Sequence, residues 1–162
     1  MKKKVMNAVI IIIILLIVLV ILRTAFLYIG NISISPNKDY FGDEYVQIIF
    51  PTSISDYLIA KQVINEANKA LSTITDDETA EQKFGNLSYL CVTHEETVKE
   101  THKLHFISAN FKNNKGYIWV KYSSEGYDKN GEVICGSWGI LSKWELEKVD
   151  NSWVVKSIHE HP

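Results

Sequence analysis

The chain has 162 residues and a formal net charge of −2, a length that suits one globular domain beside a short appendage and not two domains with separate cores. Setting Lys2, Lys3, Lys4 and Arg23 aside from the 17 basic residues leaves 13 against 19 acidic ones, about −6 beyond residue 23, which excludes the basic face that nucleic acid requires. Cys91 and Cys135 are too few for a disulfide framework and read as two buried thiols, with their pairing left open.

Residues 8–22 are all Ala, Val, Ile or Leu, with Val5 and Met6 before them and residues 24–29 mostly apolar after Arg23. That is enough for a helix to cross about 30 Å of hydrocarbon. A cleaved signal peptide has a shorter apolar stretch and a small-residue cleavage site, and no A-x-A site follows here. The first cysteine, Cys91, is far too late for lipidation at the end of the run. Residues 1–29 therefore read as a cytoplasmic start and a transmembrane anchor, with residues 5–29 in contact with the membrane. Lys2, Lys3 and Lys4 outnumber Arg23, so the N-terminus is expected inside and the rest of the chain outside the cell membrane. Gly30, Asn31, Pro36, Asn37 and Gly42 make residues 30–43 a stalk, and residues 44–162 are the extracytoplasmic domain.

The domain's first clear helix begins near Ser53, where Ser53-x-x-Asp56 has the pattern of a cap and Tyr57, Ala60, Ile64, Ala67, Leu71 and Ile74 follow at helical spacing. Thr75-x-x-Glu78 repeats the pattern for a short second helix that Gly85 ends. Residues 86–101 are ambiguous between a strand over 89–93 and a helical turn capped by Thr93-x-x-Glu96. From Lys103 to His159 four antiparallel strands are separated by turn clusters at 113–116, 128–131 and 150–152.

A three-residue loop with Gly131 left-handed sets Val120 opposite Ile140 and Tyr122 opposite Trp138, matching apolar to apolar. A three-residue loop at 114–116 and a two-residue turn at Asn151-Ser152 then gather Phe106, Val120, Tyr122, Ile134, Trp138, Ile140, Trp144, Leu146, Trp153 and Val155 on one face, for the helices. Ser108, Asn110, Ser142, Ser157 and His159 interrupt that face, as a partly polar cleft requires. Phe111, Tyr117, Trp119 and Leu141 fall on the other face, and such an apolar patch marks an association surface.

Helices followed by a long antiparallel meander ending in Lys143-Trp144-Glu145-Leu146-Glu147-Lys148-Val149-Asp150-Asn151-Ser152-Trp153-Val154-Val155 resembles the nuclear transport factor 2-like superfamily over roughly residues 54–159, with the hairpin W-x-L-x-K-x-x-x-x-W-x-V as its most familiar part. The resemblance implies an α+β fold, a transmembrane helix followed here by helices packed on a curved four-stranded antiparallel sheet. Members include ketosteroid-isomerase-like and polyketide-cyclase-like enzymes, adaptors, and membrane-anchored secretion components, and no catalytic motif carries over.

His159-x-His161, at strand spacing with His102 or His105 nearby in sequence, reads as surface or cleft-edge histidines and not as a metal site. Glu95, Glu96 and Glu100 lie in a charged segment with no sign of burial, and Asp56 is a capping residue. No cofactor is expected. Asn31-Ile-Ser33 and Asn86-Leu-Ser88 match glycosylation acceptors, which matter only in a eukaryotic secretory pathway. The expectation is a membrane-anchored binding or assembly domain, engaging a second copy or another envelope protein through Phe111, Tyr117, Trp119 and Leu141. The alternative is a small-ligand site or an isomerase- or cyclase-like enzyme in the helix–sheet cleft, with Tyr122, Trp138, Trp144 and His159 lining it. A buried Asp or Glu in that cleft would favour the alternative.

Overall fold

The computed structural model describes residues 2–29, 36–49, 51–74, 76–91 and 94–161, and along the first helix the side chains of Met6 and residues 9–22. The order is α1 (Lys2–Ile29), α2 (Lys38–Phe41), α3 (Glu44–Ile49), α4 (Ile54–Leu71), α5 (Asp77–Phe84), a 3-10 turn (Gly85–Leu90), then β1 (Lys99–Lys112), β2 (Lys115–Tyr127), β3 (Val133–Val149) and β4 (Ser152–His161). The strands form one antiparallel sheet in sequence order, so the fold is α+β. Among the described residues no helix is long and apolar enough to cross a membrane. Part of the expected stalk, residues 30–35, and with it the Asn31 acceptor, lies outside the described residues.

The Ser53 hydroxyl accepts the Asp56 N–H at 3.1 Å, which starts α4 as expected. Thr75 lies outside the described residues, and the cap of α5 is Asp76, whose carboxylate accepts the Thr79 N–H at 2.7 Å. Gly85 closes α5 with φ +56, a conformation that costs glycine little. Helix α4 turns Ala60, Val63, Ala67, Ala70 and Leu71 to the sheet. Its three buried alanines share the main core with Ile118, Val120, Trp144, Leu146 and Val155. Ambiguity over 86–101 resolves as the 3-10 turn, whose Leu87 and Leu90 join that core, followed by the start of β1. The Asn86 side chain donates to the Val155 carbonyl at 2.7 Å and ties the turn to β4.

Alternation places Trp119 on the opposite face from Ile118 and Val120, where it forms a second cluster with Ile48, Ile107 and Leu141. Helices α2 and α3 cover this face. Ring contacts join Phe41 to Trp119 at 6.0 Å, and the Ser108 hydroxyl donates to the Gln47 carbonyl at 2.8 Å. Lys143 pairs with Glu44 at 2.8 Å. The two sides of the sheet are called the α4 face and the α3 face below.

Turns and bulges decide which residues reach which face, because one extra residue in a strand reverses every side chain beyond it. Lys112 pairs with Lys115, so Asn113-Asn114 is a two-residue turn with Asn113 at φ 57, not the three-residue loop expected. Phe111 therefore points to the α4 face, where its ring meets Trp153 at 4.6 Å. Ser108 and Asn110 move off that face. A bulge between Phe106 and Ser108 then restores the expected facing, with Phe106 opposite Val120.

Gly131 is left-handed at φ 83, as expected, and near the loop Tyr127 pairs with Val133. Two irregularities then add one residue each to β3, so Tyr122 faces Ile140 and Val120 faces Ser142, correcting the expected pairing by two positions. Two single slips cancel, which keeps Ile140, Trp144 and Leu146 on the α4 face. Trp138 falls inside the second bulge beside Gly139 at φ 68 and is turned out, 60% exposed.

Val149 pairs with Ser152, making Asp150-Asn151 the turn, both with positive φ as a primed hairpin turn requires. Trp153 and Val155 keep the α4 face. A bulge at Lys156 then puts Trp144 opposite Ile158 and Ser142 opposite Glu160. Ile158 and Glu160 thus enter the α4 face, while Ser157, His159 and His161 move to the α3 face.

Candidate functional site

The bulge at Lys156 brings one carboxylate, Glu160, into the helix-covered side of the sheet. The Tyr122 hydroxyl donates to Glu160 Oε1, and the Tyr89 hydroxyl, from the 3-10 turn, lies 3.5 Å from Oε2. Burial is the main influence on the Glu160 carboxyl and pushes it above its ordinary 4.5. The negative charge of Glu160 in turn raises the Tyr89 phenol above 10.0.

Tyr89 and Tyr122 also line a cavity of about 180 Å³, completed by Leu90, Cys91, Ser124, Gly136 and Ser137. Ser124 is buried, and the register continues the same face to His102 opposite Ser124 and Glu100 opposite Gly126. Burial lowers the His102 imidazole below 6.5. Glu100 is half-buried, which corrects its reading as an exposed charge; Glu95 and Glu96 are exposed. Phenol, hydroxyl and thiol groups line this mostly polar cavity, and both of its phenols contact Glu160.

A larger groove of about 560 Å³ crosses the α3 face near Lys112, Lys115, Tyr117, Lys143 and Glu145. Its register sets Lys115 opposite Glu147, and Lys143 lies 3.5 Å from Glu145 on the same strand, so its charges pair with one another as they do on a solvated face. The smaller cavity is the better candidate, because both phenols that line it contact the half-buried Glu160.

Of the residues expected to line the cleft, Tyr122 does so. Trp144 is wholly buried and spends its indole N–H on the Ser142 hydroxyl at 3.0 Å, so it serves the core. Trp138 leaves the cleft through its bulge and donates to Glu125 at 2.8 Å on the α3 face. His159 is on the α3 face too, 3.2 Å from the Ser157 hydroxyl and 3.8 Å from Glu145.

The expected association surface is also corrected. Phe111 belongs to the main core, and Trp119 and Leu141 are buried beneath the chain's own residues 41–48, with Tyr117 packed against them. Among the described residues no three His, Cys, Asp or Glu side chains converge as a metal site would require. Cys91 and Cys135 are both half-buried thiols, the first donating to the Ala70 carbonyl at 3.5 Å. Sequence reasoning missed Glu160 and Tyr89: the first needs the Lys156 bulge, and the second needs the fold of the 3-10 turn.

No family model matches the chain, and no curated protein matches it. Among solved structures, it is similar to a candidate aromatic ring hydroxylase from Novosphingobium aromaticivorans, at 12% identity over 67% of this chain and 89% of that one, with a TM-score of 0.47. A phospholipid-binding protein from Ralstonia solanacearum is similar at 14% identity over 75% of this chain and 50% of that one, with a TM-score of 0.25. Likenesses this loose carry no argument about what this chain binds.

Proposed function

We propose that the chain is a membrane-anchored extracytoplasmic domain of the nuclear transport factor 2-like kind that binds a small polar molecule in the cavity beside Glu160. The observation that carries this reading is a half-buried carboxylate held by Tyr122 and Tyr89 at the edge of a cavity lined by Ser124 and Ser137. A carboxylate among hydroxyl groups recognises a ligand that donates hydrogen bonds, such as an amine or a polyol. The raised carboxyl pKa also suits a base that abstracts a proton next to a carbonyl, so an isomerase- or cyclase-like reaction is the second reading. Assembly with a second copy or an envelope protein would have to use a surface other than Trp119.

Support for the anchor comes from α1, where every side chain from residue 9 to residue 22 is at least 44% exposed. Aliphatic side chains exposed over fourteen consecutive helical residues, 9–22, are at home in lipid and costly in water.

Titration of labelled protein with fragment-sized amines, polyols and enolisable ketones, followed by NMR, tests the cavity. Shifts confined to residues 89–91, 122–124 and 136–137, and lost in Glu160→Gln, are expected; fragments that perturb none of these residues would overturn the reading. For topology, protease added outside intact cells should digest the domain, and its protection would reverse the orientation.

A further inference from the structure

Three of the four tryptophans are used by the fold: Trp119 and Trp144 are wholly buried, and Trp153 packs on Phe111. Trp138 is 60% exposed, yet its side chain is held in place. Its indole N–H donates to Glu125 at 2.8 Å, and its six-membered ring lies so close to Gly136 that a Cβ there would come 3.0 Å from Cζ2. Glu125 is fixed in turn by the Tyr127 hydroxyl, which donates to it at 2.6 Å. These bonds, that of Tyr127 first and that of Trp138 second, hold its carboxyl below the ordinary 4.5, so it is an ionised acceptor at neutral pH. Next to Trp138, Gly139 at φ 68 donates its N–H to the Ser123 hydroxyl at 2.8 Å. A bulge can re-aim a side chain, and this one holds an indole outward.

The ring borders a cavity of about 170 Å³ lined by residues 101–103 with Ser123, Glu125 and Trp138. Thr101 pairs with Glu125 and Lys103 with Ser123 across β1 and β2, so these four side chains share the α3 face with the indole. Helices α2 and α3 leave this end of the face open, and Thr101 and Lys103 are exposed. Ser123 accepts from Gly139 and keeps its own hydrogen to donate, and Thr101 adds a second hydroxyl. The charge of Lys103 offsets that of Glu125, which favours a neutral ligand over an ion.

We infer that this cavity is a second binding site, separate from the one beside Glu160 on the other face, and that it takes a neutral pyranose ring stacked on Trp138. A sugar is amphipathic in the way the cavity is. The C–H groups of one ring face suit an indole, and the hydroxyls at its rim suit an ionised acceptor flanked by hydroxyl groups. A quaternary ammonium would also meet an indole and a carboxylate, but Lys103 on the same wall opposes it. Because Trp138 is already fixed at its N–H and against Gly136, little side-chain freedom is lost when a ligand stacks on it.

The test is an NMR titration of the isotope-labelled full chain in lipid nanodiscs, read at the indole N–H of Trp138, which Trp138→Ala identifies by its loss. The probes are the methyl glycosides of glucose, galactose and mannose, N-acetylglucosamine and its trimer, and tetramethylammonium. At least one sugar should shift the Trp138 indole and the amides of residues 101–103 and 123–125 saturably, and tetramethylammonium should bind severalfold more weakly. In Trp138→Ala the amide shifts should vanish while the melting temperature is kept. Glu125→Gln, whose amide oxygen still accepts the indole N–H, should bind the sugar severalfold more weakly. Tighter binding of the trimer than of its monomer would make the ligand a glycan and equal binding a free sugar, and both support the site. A Trp138 indole unmoved by every sugar would overturn it, and so would amide shifts that survive Trp138→Ala. A stronger response to tetramethylammonium would make the site one for cations and overturn the sugar. Sugar shifts confined to residues 89–91, 122–124 and 136–137 would place the ligand beside Glu160, overturning this inference and leaving the reading of that cavity intact.

Discussion

Trp144 and Trp119 are both wholly buried, on opposite faces of one sheet, and they are buried by different means. Trp144 lies under the eighteen-residue α4 in the main core. Trp119 lies under α2 and α3, helices of four and six residues, too short to persist without the sheet beneath them. The first cover is a stable element that brings its own hydrogen bonds; the second exists because Trp119, Ile107 and Leu141 are there to dock on. An apolar stripe opposite a committed face therefore does not imply a partner, since a few residues of the same chain can close it.

That contrast breaks most visibly at Trp144. Trp144→Ala should cost roughly 3–5 kcal/mol, as large aromatic deletions in a core do, and would be read as a lowered denaturation midpoint of the whole domain. Trp119→Ala should cost less, about 2–4 kcal/mol, because its cover can undock locally. Amide exchange should then accelerate in residues 38–49 while β2 and β3 stay protected. Uniform loss of protection would show the two clusters to be a single cooperative unit.

Glu160 sharpens the comparison through pH. Its carboxyl is raised on folding, so the folded state disfavours the ionised form. The stability this group allows is fully present below the unfolded value of 4.5 and is lost as pH rises through the folded value. Measured against wild type, Glu160→Gln should therefore become relatively more stable between pH 4 and pH 7. A pH-independent difference would mean that burial does not govern this carboxyl. The smallest effect belongs to Trp138→Ala, within about 0.5 kcal/mol, since that side chain is turned out of the sheet; a loss comparable to that of Trp144 would return it to the core.

Much of the fold is legible along the chain because it is written in local chemistry. Ser53 and Gly85 mark helix ends by capping and by a left-handed φ, Gly131 marks the central hairpin, and the four strands stand out by their β-branched and aromatic runs. The candidate site is legible only at Tyr122. No local signal singles out Glu160, and nothing at Lys156 announces an extra residue in the strand. Tyr89 comes from the one segment, 86–101, whose pattern fits strand and helix equally.

Sequence alone determined α4, α5, the four strands, their order and the antiparallel meander, because caps, turns and alternation act over a few residues and leave their signature there; α2, inside the expected stalk, and α3 carry no such signature. It also determined that both sheet faces carry large apolar residues. Tertiary structure decided which residues lie on which face beyond each bulge. A bulge is one unpaired residue whose position answers to the packing of α4 and α3 on the two sides, and a period of two reverses with every such residue. Trp138 and His159 changed sides for that reason, Phe111 did so because its hairpin turn is one residue shorter than expected, and the bulge at Lys156 put Glu160 on the face that made the site.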